Sequence, residues 1–133
     1  MKISTKGRYS LRLLLDLAQR KDEGFVALRD VAQRSGISKK YLEQLVPLLN
    51  GAELLRANRG AQGGYMLARA PSEYTVGEIL RLTEGGLCPV DSAADDLPLW
   101  KGLQQAIDSY LDGITLQDIL DERNQAGADA YCI

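Results

Sequence analysis

Between Ser38 and Gln44 the chain places two hydroxyls, two ammonium groups, a carboxylate and an amide within about two turns of a predicted helix: Ser38, Lys39, Lys40, Tyr41, Glu43 and Gln44. These are the side chains that read base edges: Gln pairs with adenine, Glu accepts from cytosine N4, and Lys reaches guanine or phosphate. A helix N-terminus adds its own attraction for a phosphate oxygen. An ordinary solvated helix face accounts for the same residues equally well when the helix is taken alone.

Two further groups shift the balance. Arg56 and Arg59 flank or enter the stretch "NRGAQGG", whose Gly60, Gly63 and Gly64 permit a slim turn and close backbone approach. A minor groove about 6 Å wide accepts one arginine carried on such a turn. Tight turning alone explains Gly63 and Gly64 but gives no reason for Arg59. Lys2, Lys6 and Arg8 precede the first predicted helix and are candidates for phosphate contacts, which fix position without reading sequence.

The remaining chemistry is sparse. The chain has no histidine, so the commonest general base is absent, and its two cysteines, Cys88 and Cys132, are far apart. No catalytic constellation, metal-ligand cluster or phosphate-binding loop is present, so no enzyme, no cofactor and no metal site is expected. Cys88 is flanked by acids that disfavour a thiolate, and burial as a small apolar residue is the expectation for it.

These groups need elements to hold them. Leu11, Leu14, Leu15 and Ala18 recur at helical spacing and predict a first helix that stops near Asp22 to Gly24. Leu28, Val31 and Ala32, closed by Gly36, predict a short second helix. Ser38 as N-cap, with Leu42, Leu45, Val46 and Leu49 on one face, predicts a third that Gly51 ends and Pro47 loosens. Helix, short turn and helix is the helix-turn-helix spacing. "LLRA" and "YMLA" around the glycine-rich turn predict a hairpin, or wing.

A fourth helix begins at Thr75, with Glu78 completing a capping box. The segment "GGLCPVDSAADDLP" reads as a loop. After it Leu99, Leu103, Ile107 and Leu111 form an apolar stripe, with Trp100 and Tyr110 beside it, and a last helix is capped by Thr115. The expected fold is mainly α with a small β-hairpin: a winged helix-turn-helix over residues 1–70 and a helical dimerisation and regulatory region over 71–133.

Charge follows the same division. Residues 1–70 hold thirteen Lys or Arg against six Asp or Glu, net +7, and residues 71–133 hold three against twelve, net −9. The basic half concentrates a polyanion and the acidic half avoids one. No apolar run nears the roughly 20 residues of a membrane span, and Arg12 and Asp16 interrupt the first apolar stretch, so a cytoplasmic protein is expected.

The stretches "MKISTKGRYSLRLLLDLA", "YLEQLVPLLNGAELLRANRGAQGGYML" and "TVGEILRLTEG" closely resemble the Rrf-two family of bacterial winged-helix regulators, over essentially the whole chain. The resemblance implies a homodimer joined through a long helix, here carrying Leu99, Trp100, Leu103, Ile107 and Leu111. It implies base contacts from Ser38, Tyr41, Glu43 and Gln44, phosphate contacts from Lys39 and Lys40, and a minor-groove contact from Arg59.

Cluster-binding members carry three closely spaced cysteines where this chain has Cys88 alone, and one thiolate cannot hold an iron–sulfur cluster that normally takes four ligands. The chain is more similar to the cysteine-metabolism repressor branch, which acts with cysteine synthase, and its tail "YCI" fits that branch. The leading expectation is a DNA-binding repressor of sulfur and cysteine metabolism without a cluster. The alternatives are an iron–sulfur or redox-sensing regulator, or a winged-helix interaction module docking an enzyme through its tail.

Overall fold

Ser4 starts the first helix: its hydroxyl accepts from the Gly7 N–H at 3.0 Å, and α1 runs over Thr5–Gln19. The structure is a computed structural model that describes residues 1–61, 63–91 and 95–131, the side chains of 127–131 excepted. A short 3-10 turn at Lys21–Glu23 follows, and Gly24 at φ +75° redirects the chain. Helix α2 (Leu28–Ser35) closes at Gly36, which takes the left-handed conformation at φ +77° and returns its N–H to the Ala32 carbonyl at 2.9 Å. Ser38 then caps α3 (Lys39–Gly51) by accepting from the Tyr41 N–H at 3.1 Å.

Helix α3 runs through the exposed Pro47. Gly51 is the last helical residue, as expected, and the left-handed position falls two residues further on, at Glu53 with φ +61°. Leu49 and Leu54 are 0% and 1% exposed, and the Leu54 N–H bonds the Leu49 carbonyl at 3.0 Å. Burying both leucines requires the chain to reverse at Glu53. That packing outweighs the roughly 1–2 kcal/mol cost of a non-glycine left-handed residue.

Strands β1 (Leu55–Asn58) and β2 (Gly64–Leu67) pair antiparallel, Leu55 facing Leu67 and Asn58 facing Gly64. Val26 adds a one-residue third strand, exchanging two 2.8 Å hydrogen bonds with Tyr65. A Cβ at Gly64 would run into the Val26 carbonyl and the Ala27 nitrogen. Glycine there is what lets β2 approach the segment before α2.

Beyond the hairpin, Tyr74 is fully buried, and its hydroxyl donates to the Leu54 carbonyl at 2.6 Å while accepting from the Ala68 and Arg69 N–H groups at 3.0 and 3.1 Å. Burial, the largest influence, raises its pKa against the two backbone donors. Helix α4 (Val76–Glu84) is capped by Thr75, which accepts from the Glu78 N–H at 3.1 Å. The Glu78 carboxylate does not complete a capping box, because Arg69 holds it at 2.8 and 3.3 Å. The reciprocal box appears instead at α6 (Leu116–Tyr131), between Thr115 and Asp118 at 2.9 and 3.1 Å.

One main core holds the molecule together. Leu13, Leu14 and Leu17 of α1 meet Val31 of α2, Leu42, Leu45 and Leu49 of α3, and Leu54 and Leu67 around the hairpin. The expected division near Ala70 falls between β2 and the 3-10 turn at Pro71–Glu73, while Tyr74, Ile79, Leu116 and Leu120 enter the same core from beyond it. Helix α5 (Pro98–Asp112) stands apart, with no fully buried residue. Arg81 fastens it to α4, donating to Asp112 at 2.6 and 3.0 Å and to Asp108 at 2.9 Å. The expectation of a mainly α chain with one small hairpin is met, and among the described residues no helix is long and apolar enough to cross a membrane.

Candidate nucleic-acid interface

The inward face of α3 decides which residues face out. Leu42, Leu45, Val46 and Leu49 are at most 7% exposed, so the helix cannot rotate without exposing leucines worth about 1.5–3 kcal/mol each. Ser38, Lys39, Lys40, Glu43 and Gln44 are thereby presented to solvent. Lys39 and Glu43 are 3.6 Å apart with side chains 59% and 54% exposed. Such a surface pair is worth about 0–1 kcal/mol, so Lys39 can exchange it for a phosphate at little cost.

Tyr41 is placed differently. It is half-buried, and its ring meets Tyr9 of α1 edge to face, with centroids 5.4 Å apart. Arg8 lies 5.8 Å from the Tyr9 ring and is exposed, as are Lys2 and Lys6. The basic N-terminus therefore sits beside the start of α3.

A second tether holds that N-terminus. The Glu84 carboxylate, at the end of α4, accepts from the Ser4 N–H and hydroxyl and from the Thr83 hydroxyl, each at 2.7 Å. Burial, the largest single influence, opposes ionisation of Glu84. The bonds from Ser4 and Thr83 and the charge of Lys6 together outweigh it, and hold the carboxyl below its ordinary range. Gly7 makes the approach possible, since a Cβ there would come within 2.7 Å of the Glu84 carboxylate.

On the wing, Arg56 and Arg59 are both exposed. Gly60 adopts φ +124° with open space around it, and its carbonyl accepts from the Gly63 N–H at 2.9 Å to close the turn. The close approaches at Gly63 and Gly64 are to the protein's own backbone: a Cβ at Gly63 would lie 2.5 Å from the Asn58 carbonyl oxygen. Between wing and α3 runs an open groove of about 710 Å³ bordered by Lys39, Glu43, Arg59 and Gly60. It is also bordered by Arg29 and Phe25, which the sequence reading did not single out. Only the basic surplus of the first half hinted at Arg29.

The stripe expected for dimerisation divides along α5. Leu99 and Leu103 are 63% and 40% exposed and Trp100 is half-buried, whereas Ile107 and Leu111 pack against Val76, Leu80 and Leu87 of their own chain. Cys88 is exposed, contrary to the burial expected for it. Gly85 and Gly86, at φ +73° and +142°, turn the chain so that Leu87 takes the buried position and Cys88 the outer one. Cys132, Ile133 and the Tyr131 side chain lie outside the described residues, and so does the expected docking tail.

The sequence profile of Rrf2, described as iron-dependent transcriptional regulator, matches residues 3–122. The chain belongs to the Rrf2 family. It is 43% identical over 123 residues to the HTH-type transcriptional regulator CymR of Bacillus subtilis, covering 90% of this chain and 89% of that one. The structure of CymR, the global cysteine regulator of B. subtilis, superposes with a TM-score of 0.84 at 41% identity, over 92% of this chain and 98% of that one. T. potens IscR superposes with a TM-score of 0.80 at 44% identity, over 95% and 90%.

The family's description names iron. Cys88 is the one cysteine among the described residues, no histidine exists, and among the described residues no three Cys, Asp or Glu side chains converge as a metal site. That donor set does not fit a cluster taking four ligands. Relatives named as transcriptional regulators also mark the chain as a regulator and not an enzyme.

Proposed function

We propose that this protein is a cytoplasmic, homodimeric, sequence-specific DNA-binding repressor of sulfur and cysteine metabolism genes that works without an iron–sulfur cluster. The observation that carries the reading is the fixed outward face of α3, with Ser38, Lys39, Lys40, Glu43 and Gln44 exposed beside a wing bearing Arg59. In this reading the N-terminal half of α3 enters the major groove, with Glu43, Gln44 and Ser38 toward base edges and Tyr41 reaching past its contact with Tyr9. Lys39, Lys40, Lys2, Lys6, Arg8 and Arg56 neutralise phosphates, and Arg59 enters the adjacent minor groove.

Leu99, Trp100 and Leu103 supply the apolar surface for a two-fold partner, with Ile107 and Leu111 bracing the helix from within. Similarity to the global cysteine regulator supports the choice of target genes, and the partner in this reading is a cysteine synthase engaged by the C-terminal tail.

The test is capture of sheared genomic DNA from the source organism by protein purified aerobically and anaerobically, with iron and sulfide measured in both. The expected result is colourless protein in both preparations, enriching two-fold related sites upstream of sulfur-uptake and cysteine-synthesis genes. No enrichment would overturn the DNA-binding reading. Brown protein whose enrichment depends on iron would favour the second reading, an iron–sulfur regulator, which draws on the similarity to IscR.

A further inference from the structure

Four arginines converge on a cavity of about 310 Å³ bounded by α1, α2 and α6: Arg12 of α1, Arg20 just past its end, Arg34 of α2 and Arg123 of α6. Among the described residues the only carboxylate lining it is Asp16, which is already engaged: Arg34 donates to its two oxygens at 2.9 and 2.7 Å. Arg12, Arg20 and Arg123 make no ion pair among the described residues, so three guanidinium groups border one concavity that holds a single carboxylate, itself paired with Arg34. Ser35 also lines the cavity. Its oxygen accepts from the Ile37 N–H at 3.1 Å, which leaves its hydroxyl proton available to another acceptor. Gln19 adds an amide at the same wall.

Guanidinium groups bind carboxylate and phosphate oxygens through paired hydrogen bonds, and several around one concavity favour a ligand with more than one negative charge. The volume lies at the small end of the range for metabolite sites, about 300–1,000 Å³. We propose that this cavity is a binding site for a small multivalent oxyanion, a phosphorylated or polycarboxylate metabolite, held between α1, the end of α2 and α6.

The origin of Arg123 favours a small ligand over a nucleic-acid backbone. It is one of three cations in residues 71–133, and Asp118, Asp121 and Glu122 stand exposed on the same helix. A duplex approaching Arg123 would meet that acidic flank, whereas a small anion enters the cavity past it. The site also joins two parts of the chain. Arg34 and Ser35 lie immediately before the turn into α3, and Arg123 lies on the last helix. A bound anion would link the helix-turn-helix to α6, and by linkage any difference in its affinity between DNA-bound and free protein changes DNA affinity by the same factor.

Isothermal titration of the full-length protein with pyrophosphate and with citrate, at constant ionic strength, tests the site. One equivalent per protomer is expected to bind, with affinity falling about tenfold or more in Arg123→Ala and in Arg12→Ala, since each removes a charge-assisted contact. Arg59→Ala, in the wing, is expected to bind both probes as the unmodified protein does. Thermal unfolding of each variant without ligand shows whether it is folded, and Arg123→Lys, which keeps the charge but loses the planar fork, is expected to give an intermediate affinity. The proposal is overturned if neither probe binds the folded protein, or if the arginine variants bind like the unmodified protein. It is equally overturned if Arg123→Ala weakens binding of DNA but of neither probe, which would make the cluster a DNA-backbone contact.

Discussion

Tyr9 of α1 and Tyr41 of α3 meet edge to face, with ring centroids 5.4 Å apart and planes at 82°. The pair fixes the start of the candidate recognition helix against the helix that carries Arg8. Replacing Tyr9 by Leu keeps apolar volume and removes the ring pair. Urea unfolding is expected to show a loss of about 0.5–1.5 kcal/mol, with weaker DNA binding because Arg8 and α3 lose their mutual position. Unchanged stability and unchanged affinity would show that the ring pair positions nothing.

Glu84 ties α4 to the N-terminus through Ser4 and Thr83, and its folded pKa lies below the ordinary value. A carboxyl depressed on folding contributes stability that is present above its unfolded pKa of about 4.3 and is lost as pH falls through the folded value. Glu84→Gln should therefore unfold at lower urea than the unmodified protein at pH 7, with the gap narrowing toward pH 3. Paired denaturation curves across that interval check it, and a gap that stays constant or widens in acid contradicts the role given to the carboxylate.

Two glycines make opposite predictions. Gly64 backs onto the Val26 carbonyl, so Gly64→Ala must push β2 off that segment and is expected to cost about 1–3 kcal/mol. Gly51 ends α3 with open space around it, so Gly51→Ala is expected to be neutral or to stabilise by up to about 1 kcal/mol. Thermal unfolding of the two variants distinguishes them by the direction of the change in Tm.

The sequence made the helices legible because their apolar spacing, Ser38, Thr75 and Thr115 caps and the Gly36 stop are local signals. It did not show that Glu53 would take the left-handed turn, since that follows from burying Leu49 and Leu54 together. Nor did it show Val26 pairing with Tyr65, or Glu78 leaving its cap for Arg69, because each depends on a partner that only the fold brings near. The outward residues of α3 were readable as the complement of its apolar face. Arg29 in the groove and Arg123 in the arginine-lined cavity were not, because neither belongs to a local motif.

Leu99 and Leu103 remain exposed on a 15-residue helix with no buried residue, which the proposed dimer would cover. Sedimentation of the unmodified protein is expected to give about twice the 14.6 kDa of one chain, and Leu103→Asp to give a single chain. A charge at the centre of an apolar contact cannot be paired there. An unmodified protein that sediments as one chain at micromolar concentration contradicts the proposed dimer.

The most direct measurement of sequence reading by α3 is fluorescence anisotropy on a captured site and on single-base variants of it, over a range of salt, comparing the unmodified protein with Gln44→Ala and Lys40→Ala. Gln44→Ala is expected to lose about 1–3 kcal/mol of discrimination at one base pair while keeping its salt dependence. Lys40→Ala is expected to weaken all duplexes alike and to lower the salt slope by about one. Equal affinity of the unmodified protein for the captured site and a scrambled duplex at every salt concentration would contradict the claim that α3 reads DNA sequence.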